Sequence, residues 1–136
     1  MMPIKNYPLM HYVMNQIKKC ENTKILVATS TSKKDDLIEN YIKKLNFEVF
    51  RGNENDVLDR YYQCAKKKSV KIIVRISADS PLIDHKIIKE CINKFEKNDF
   101  DYLSNTIKKI NDVWVEDFNG FPKGYAVEIF RFSALE

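Results

Sequence analysis

The chain has 136 residues, 44% hydrophobic and 31% charged, with a formal net charge of +4. That length bounds it to one globular domain, residues 1–136, whole or partial, and excludes a multidomain machine. The 23 Lys and Arg fall in short scattered pairs such as Lys18-Lys19, Lys33-Lys34 and Lys43-Lys44 rather than in a stripe, which argues against nucleic acid as a partner. There is no run of about 18 apolar residues and no secretory leader pattern, so the expectation is a soluble, cytoplasmic chain with no membrane partner.

In chain order, Pro8 opens an apolar helical face of Leu9, Tyr12, Val13 and Ile17, with no strand before it, so the N-terminus is expected to be cut. Strands are predicted at Lys24 to Thr29, Phe47 to Phe50 and Lys71 to Ile76, each rich in β-branched or aromatic residues. Between them, Leu37, Ile38, Tyr41, Ile42 and Leu45 predict one helix, and Val57, Leu58, Tyr61, Tyr62 and Ala65 a second. A third begins near Asp84, with Ile87, Ile88, Cys91, Ile92 and Phe95 as its buried stripe. This alternation predicts crossover units and a parallel sheet. After Asp101 the pattern turns to β structure at Tyr102 to Ser104, Val113 to Val115 and Tyr125 to Phe130, with Asn119-Gly120 as the turn joining the last two. Ser133 to Glu136 reads as a capping box, so a helix should start there and the C-terminus also looks cut. Cys20, Cys64 and Cys91 are odd in number and far apart, the pattern of reduced core thiols. His11 and His85 have no neighbouring ligands that would suggest zinc.

Ligands of open α/β sheets bind beyond the carboxyl ends of the strands. Asp79, in a short loop closed by Pro81 after the most apolar strand, is therefore either a carboxylate that holds Mg²⁺ beside a phosphate or a turn-supporting side chain. Asp84 is expected to cap the next helix. Arg75 inside that strand requires an anion or a salt bridge, because its charge cannot be shed. Arg51 and Arg60 flank Gly52, where each binds a phosphate or covers surface. Only Gly52, Gly120 and Gly124 are present, so no Gly-rich phosphate cradle exists in the chain. Ser30 lacks the context of a nucleophile.

Four segments are more particular: Phe50 to Gln63, Val74 to Asp84, Asp101 to Thr106, and Gly124 to Leu135. In this order they resemble the cytidylyltransferase-like family of spore coat polysaccharide biosynthesis protein F, which is related to the synthetases that activate Kdo and sialic acid. The resemblance spans essentially the whole chain. It implies a Rossmann-like, glycosyltransferase-A-type α/β sandwich with a mainly parallel sheet, here lacking the first strand and a Gly-containing basic loop that precede the segment resembling Met1 to Ile4. It also implies Asp79 as the acidic residue on catalytic Mg²⁺, with Arg75 as a catalytic cation. Leu58, Asp59 and Arg60 would lie near the nucleotide base, Thr29 would line the same cleft and bind the nucleotide, and Ser77, Asn105 and Glu128 would lie near the substrate. Ala78 stands where the family usually has Gly. Ala126 stands where it usually has Asp, leaving Glu128 as the acidic partner for the metal.

The implied reaction is attack of a sugar hydroxyl on the α-phosphorus of CTP, giving a CMP-sugar and pyrophosphate for surface polysaccharide or flagellar glycan synthesis. Without the upstream loop this chain alone is expected to be weak or inactive. The competing reading is a non-catalytic binding or assembly module derived from the same fold. A homodimer is compatible with either.

Overall fold

The computed structural model describes residues 3–110, 113–116 and 124–136, and of 107–110 and 113–116 the backbone strands alone. Pro8, with φ −64°, stands at the N-cap of α1 (Leu9–Ile17), where its missing N–H costs nothing. It also ends β2 (Tyr7–Pro8), which pairs antiparallel with β1 (Pro3–Ile4).

β3 (Leu26–Ser30) and β4 (Glu48–Gly52) are parallel, with Thr29 opposite Arg51 and Ser30 opposite Gly52. The crossover between them is α2 (Asp36–Lys44). α3 (Val57–Lys67) leads from β4 to β5 (Ile72–Arg75), and α4 (His85–Glu96) from β5 to β6 (Tyr102–Ser104). Asp56 caps α3 by accepting from the Asp59 N–H, and Asp84 caps α4 by accepting from the Lys86 N–H at 2.8 Å, the role expected for Asp84.

β9 (Glu128–Arg131) lies between β5 and β6, antiparallel to both, so β5 and β6 run in the same direction. This corrects the expected partner of the last strand. The hairpin joins β7 (Ile107–Ile110) to β8 (Val113–Glu116), whereas the 125–130 segment fills the sheet interior. Its Val127 and Ile129 are fully buried, and an apolar pair of this kind is better covered between two strands than in a terminal hairpin. Asn119-Gly120 lies outside the described residues. Ser133 is also not a helix cap. It sits inside a 3₁₀ turn, Phe132–Ala134, that follows Arg131.

Two apolar clusters form the core. Met10, Met14 and Ile42 pack with Val27, Ile38 and Val49, while Val13, Ile83, Ile88, Phe95, Val127 and Ile129 pack with Ile17, Val74 and Leu103. Helix α1 thus contributes to both. Among the described residues no backbone ladder joins the β3–β4 pair to the β5–β9–β6 set. Cys20, Cys64 and Cys91 are free and buried, and burial pushes all three thiols up, as suits inert core residues. No helix among the described residues is long and apolar enough to cross a membrane.

Candidate active site

The carboxyl end of β3 is fixed by Asp35. One of its oxygens, Oδ2, accepts from Thr29 Oγ1 at 2.6 Å, from the Ser30 N–H at 2.9 Å and from Ser30 Oγ at 2.7 Å. The Thr29 and Ser30 hydrogen bonds hold this carboxyl below the usual carboxylate range, outweighing its partial burial. On the other side, Arg51 donates through Nε to the Ser30 carbonyl and through Nη2 to the Ser32 carbonyl at 2.8 Å, and pairs with Asp36 and Glu39. Arg51 is therefore a structural clamp rather than a free phosphate cation.

At the end of β4, the Asn53 side chain accepts from the Asn55 and Asp56 N–H groups, forming the turn into α3. Arg60 Nη1 donates to the Asn53 carbonyl at 2.8 Å, and Arg60 Nε is buried without a partner among the described residues. Gly52 is the residue that admits the Arg60 stem. A Cβ at this position would come within 2.9 Å of Arg60 Cγ and of a Phe50 ring carbon. Asp59 accepts from Gln63 along the helix at 3.0 Å, and Leu58 is 63% exposed.

After β5, Ser77 Oγ donates to Asp79 Oδ1, and the Ser80 N–H bonds the Ser77 carbonyl at 3.2 Å to close the loop. Asp79 is exposed. Arg75 forms an ion pair with Glu128 directly across the β5–β9 ladder and lies 5.6 Å over the Tyr61 ring. The other Glu128 oxygen accepts from Tyr102 Oη at 2.8 Å. Arg75 thus takes the salt-bridge option left open by the sequence. Asn105 donates through Nδ2 to the Tyr125 carbonyl at 2.9 Å and accepts the Val127 N–H at 2.8 Å, so its amide bridges the backbone of this segment.

One hollow of about 260 Å³ brings two of the predicted residues together. Thr29, with Val27 and Ala28, forms one wall, Asp79 and Ala78 another, and Pro8, Leu9, Met10 and Ile38 complete the lining. Leu58, Asp59, Arg60, Arg75, Ser77, Asn105 and Glu128 are not on its walls. Asp35 and Tyr102 escaped the sequence reading. Asp35 sits in the run Lys33-Lys34-Asp35-Asp36, whose charge pattern looks like solvated surface, and Tyr102 looks like an ordinary strand aromatic.

Among the described residues no group of three or more His, Cys, Asp or Glu side chains is placed to hold a metal ion. A lone exposed carboxylate such as Asp79 suits Mg²⁺, which keeps most of its waters and takes its remaining ligands from substrate phosphates. Glu128 suits it less, since both oxygens are already engaged.

Comparison with known proteins follows the same lines. An uncharacterised protein of Methanocaldococcus jannaschii is 34% identical over 94% of this chain and 48% of its own length. The spore coat polysaccharide biosynthesis protein SpsF of Bacillus subtilis is 31% identical over 60% of the chain and 35% of its own. A cytidylyltransferase structure from Leptospira borgpetersenii superposes with a TM-score of 0.81 at 29% identity, covering 98% of this chain and 53% of that one. A CMP:2-keto-3-deoxy-manno-octonic acid synthetase solved with CTP superposes at 0.75 with 11% identity, covering 98% of this chain and 67% of that one, a likeness of fold alone. The chain spans about half the length of the Methanocaldococcus protein and of the Leptospira chain, and about a third of SpsF. The cytidylyltransferase family model matches residues 1–121, and with the Rossmann-like nucleotidyltransferase fold now described, the chain belongs to the cytidylyltransferase family.

Proposed function

We propose that this chain carries the nucleotide cleft of a CTP-dependent sugar nucleotidyltransferase acting in surface polysaccharide or flagellar glycan synthesis. The observation that carries the reading is the shared hollow, which sets Thr29 at the end of β3 against Asp79 after β5, where ligands of open α/β sheets bind. In the reaction a sugar hydroxyl oxygen bonds to the α-phosphorus of CTP, the bond from that phosphorus to the bridging oxygen breaks, and pyrophosphate leaves as the hydroxyl proton is released. Mg²⁺, when bound, would be held by Asp79 and would neutralise phosphate charge. Ser77 orients Asp79 through its hydrogen bond. Glu128, itself held by the Tyr102 hydroxyl, fixes Arg75, making Glu128 a positioning residue.

The neutralisation of Arg51 and Arg75 by carboxylates favours the second reading, a binding or assembly module without catalysis. Titration of the 136-residue chain with CTP, ATP, GTP and UTP, with and without Mg²⁺, tests the cleft by thermal shift. CTP at a hundred times its Kd should stabilise the fold by about 2.7 kcal/mol. This effect should require Mg²⁺, vanish in Asp79→Ala and persist in Glu128→Gln. Absence of any nucleotide response refutes the cleft, and loss of Mg²⁺ dependence in Glu128→Gln refutes the positioning role. CMP-sugar formation by the bound chain separates enzyme from module.

A further inference from the structure

Three consecutive residues of β3, Val27, Ala28 and Thr29, line the hollow. Successive side chains of a strand point to opposite faces, so a space that meets three in a row lies along the edge of the strand. The other edge of β3 is paired with β4, and β5 pairs with β9 alone. Each strand therefore has one row of peptide N–H and C=O groups with no ladder partner among the described residues. Thr29 stands near the end of β3 on one wall, and Ala78 and Asp79, just beyond β5, stand on the other, so the two edges run in the same direction.

Helices cover this space on both faces. Val74 packs with Val13 and Ile17 of α1, while its neighbour Arg75 lies over Tyr61 of α3, on the opposite face. On the β3 side, Val27 packs with Met10 and Met14 of α1, and α3 lies against β3 as well. Open edges are ordinarily guarded by Lys, Pro or a bulge. β3 reads Leu-Val-Ala-Thr-Ser with no charge, and the one charge of β5, Arg75, is held by Glu128 on the paired side. Both are sequences of strands flanked on two sides.

We propose that this space is a slot for one further β-strand, an extended, uncharged segment of another polypeptide about five residues long. It would lie parallel between β3 and β5 and join the two ladders into one sheet. Only a peptide backbone offers donors and acceptors to two facing edges at once, and small or β-branched side chains suit a strand covered on both faces. The strand would end level with Thr29 and Asp79 and leave the mouth beyond them to a ligand, so the slot stands or falls separately from the nucleotide cleft.

The probe is a capped synthetic peptide, Lys-Ile-Leu-Val-Ala-Thr-Ser, which repeats residues 24–30. Amide exchange of the chain, read by NMR over Leu26–Ser30 and Ile72–Arg75, should slow by roughly tenfold or more in both strands at saturating peptide. The same peptide with Pro as its fourth residue should not bind. N-methylation at alternate residues blocks hydrogen bonds toward one neighbour only, and each of the two alternate patterns should weaken binding by roughly tenfold. A peptide that leaves both strands unprotected overturns the slot. Protection of one strand alone, or full binding by either methylated peptide, shows simple edge addition and overturns it too. So does a chain that sediments as a dimer, already protected at both strands and indifferent to the peptide, which gives the space to a second copy. Thermal shift with CTP on the same preparation tells failure of the slot from failure of the cleft.

Discussion

Asn105 separates an architectural role from a ligand-binding one. Its amide spans the backbone of the 125–127 segment, accepting from the Val127 N–H at 2.8 Å and donating to the Tyr125 carbonyl at 2.9 Å. Val127 is fully buried, so water does not readily replace the lost acceptor. Asn105→Ala removes both bonds, and each backbone group left without a partner costs about 1–3 kcal/mol. Since Tyr125 is only half-buried and its carbonyl can recruit water, the expected loss is about 2–4 kcal/mol. Asn105→Asp keeps the acceptor for Val127 but sets a carboxylate against the Tyr125 carbonyl. It should be destabilised at neutral pH and recover part of the deficit below roughly pH 4, where the protonated acid can donate again. Urea denaturation followed by far-UV circular dichroism reads both variants. A midpoint for Asn105→Ala equal to the wild type, or an Asp variant whose deficit does not respond to acid, would refute the reasoning.

Gly52→Ala places a methyl group 2.9 Å from Arg60 Cγ and Phe50 Cε1. Overpacking of about 1–3 kcal/mol is partly offset by the 0.4–1 kcal/mol that alanine gains by restricting the unfolded chain, so a net loss of roughly 1–2 kcal/mol should appear in the same urea experiment. A stabilised variant would show that the Arg60 stem yields without cost. Acid should also weaken the fold through three carboxylates, among them Glu39, which is lowered by hydrogen bonds from Lys43 and Arg51. Glu48 is lowered to about 2 by hydrogen bonds from Lys68 and Lys24, and Asp35 is lowered by Thr29 and Ser30. A depressed folded pKa contributes stability above the unfolded value and loses it as pH falls through the folded one. Thermal midpoints should therefore fall between roughly pH 4.5 and 2, and Asp35→Asn should flatten that decline while lowering the midpoint at pH 7. An unchanged slope would contradict the assignment of Asp35.

Much of the local structure was legible because it is encoded locally. The apolar spacing of Leu37 to Leu45, Val57 to Ala65 and Ile87 to Phe95 predicted α2, α3 and α4, and Asp84 capped α4 as its position suggested. The place of β9 was not legible, since pairing with β5 and β6 is a non-local choice settled by burial of Val127 and Ile129 rather than by the nearest turn signal. At the site, Thr29 and Asp79 could be nominated from their places at strand ends and by resemblance, and both line the hollow. Partner choice lay beyond a one-dimensional reading. Asp35 looks like one more surface carboxylate until β3 curls back onto it, and Asn105 looks free to meet substrate until Tyr125 and Val127 arrive from twenty residues on.

The separation of β3–β4 from β5–β9–β6 bears on how the molecule opens. Where neighbouring strands share a ladder, amide protection rises and falls together across a sheet. Here α1 supplies side-chain contacts to both clusters, Met10 and Met14 on one side and Val13 and Ile17 on the other. The two halves are thus coupled by side-chain packing on α1 and on α3, whose Tyr61 lies under Arg75 and whose Tyr62 stacks on Phe132. Hydrogen exchange would divide the fold into two foldons, each with its own opening free energy, linked through α1 and α3. Thr29 belongs to one and Asp79 to the other, so loosening of these two helices together would part the walls of the hollow before either half lost its own strands.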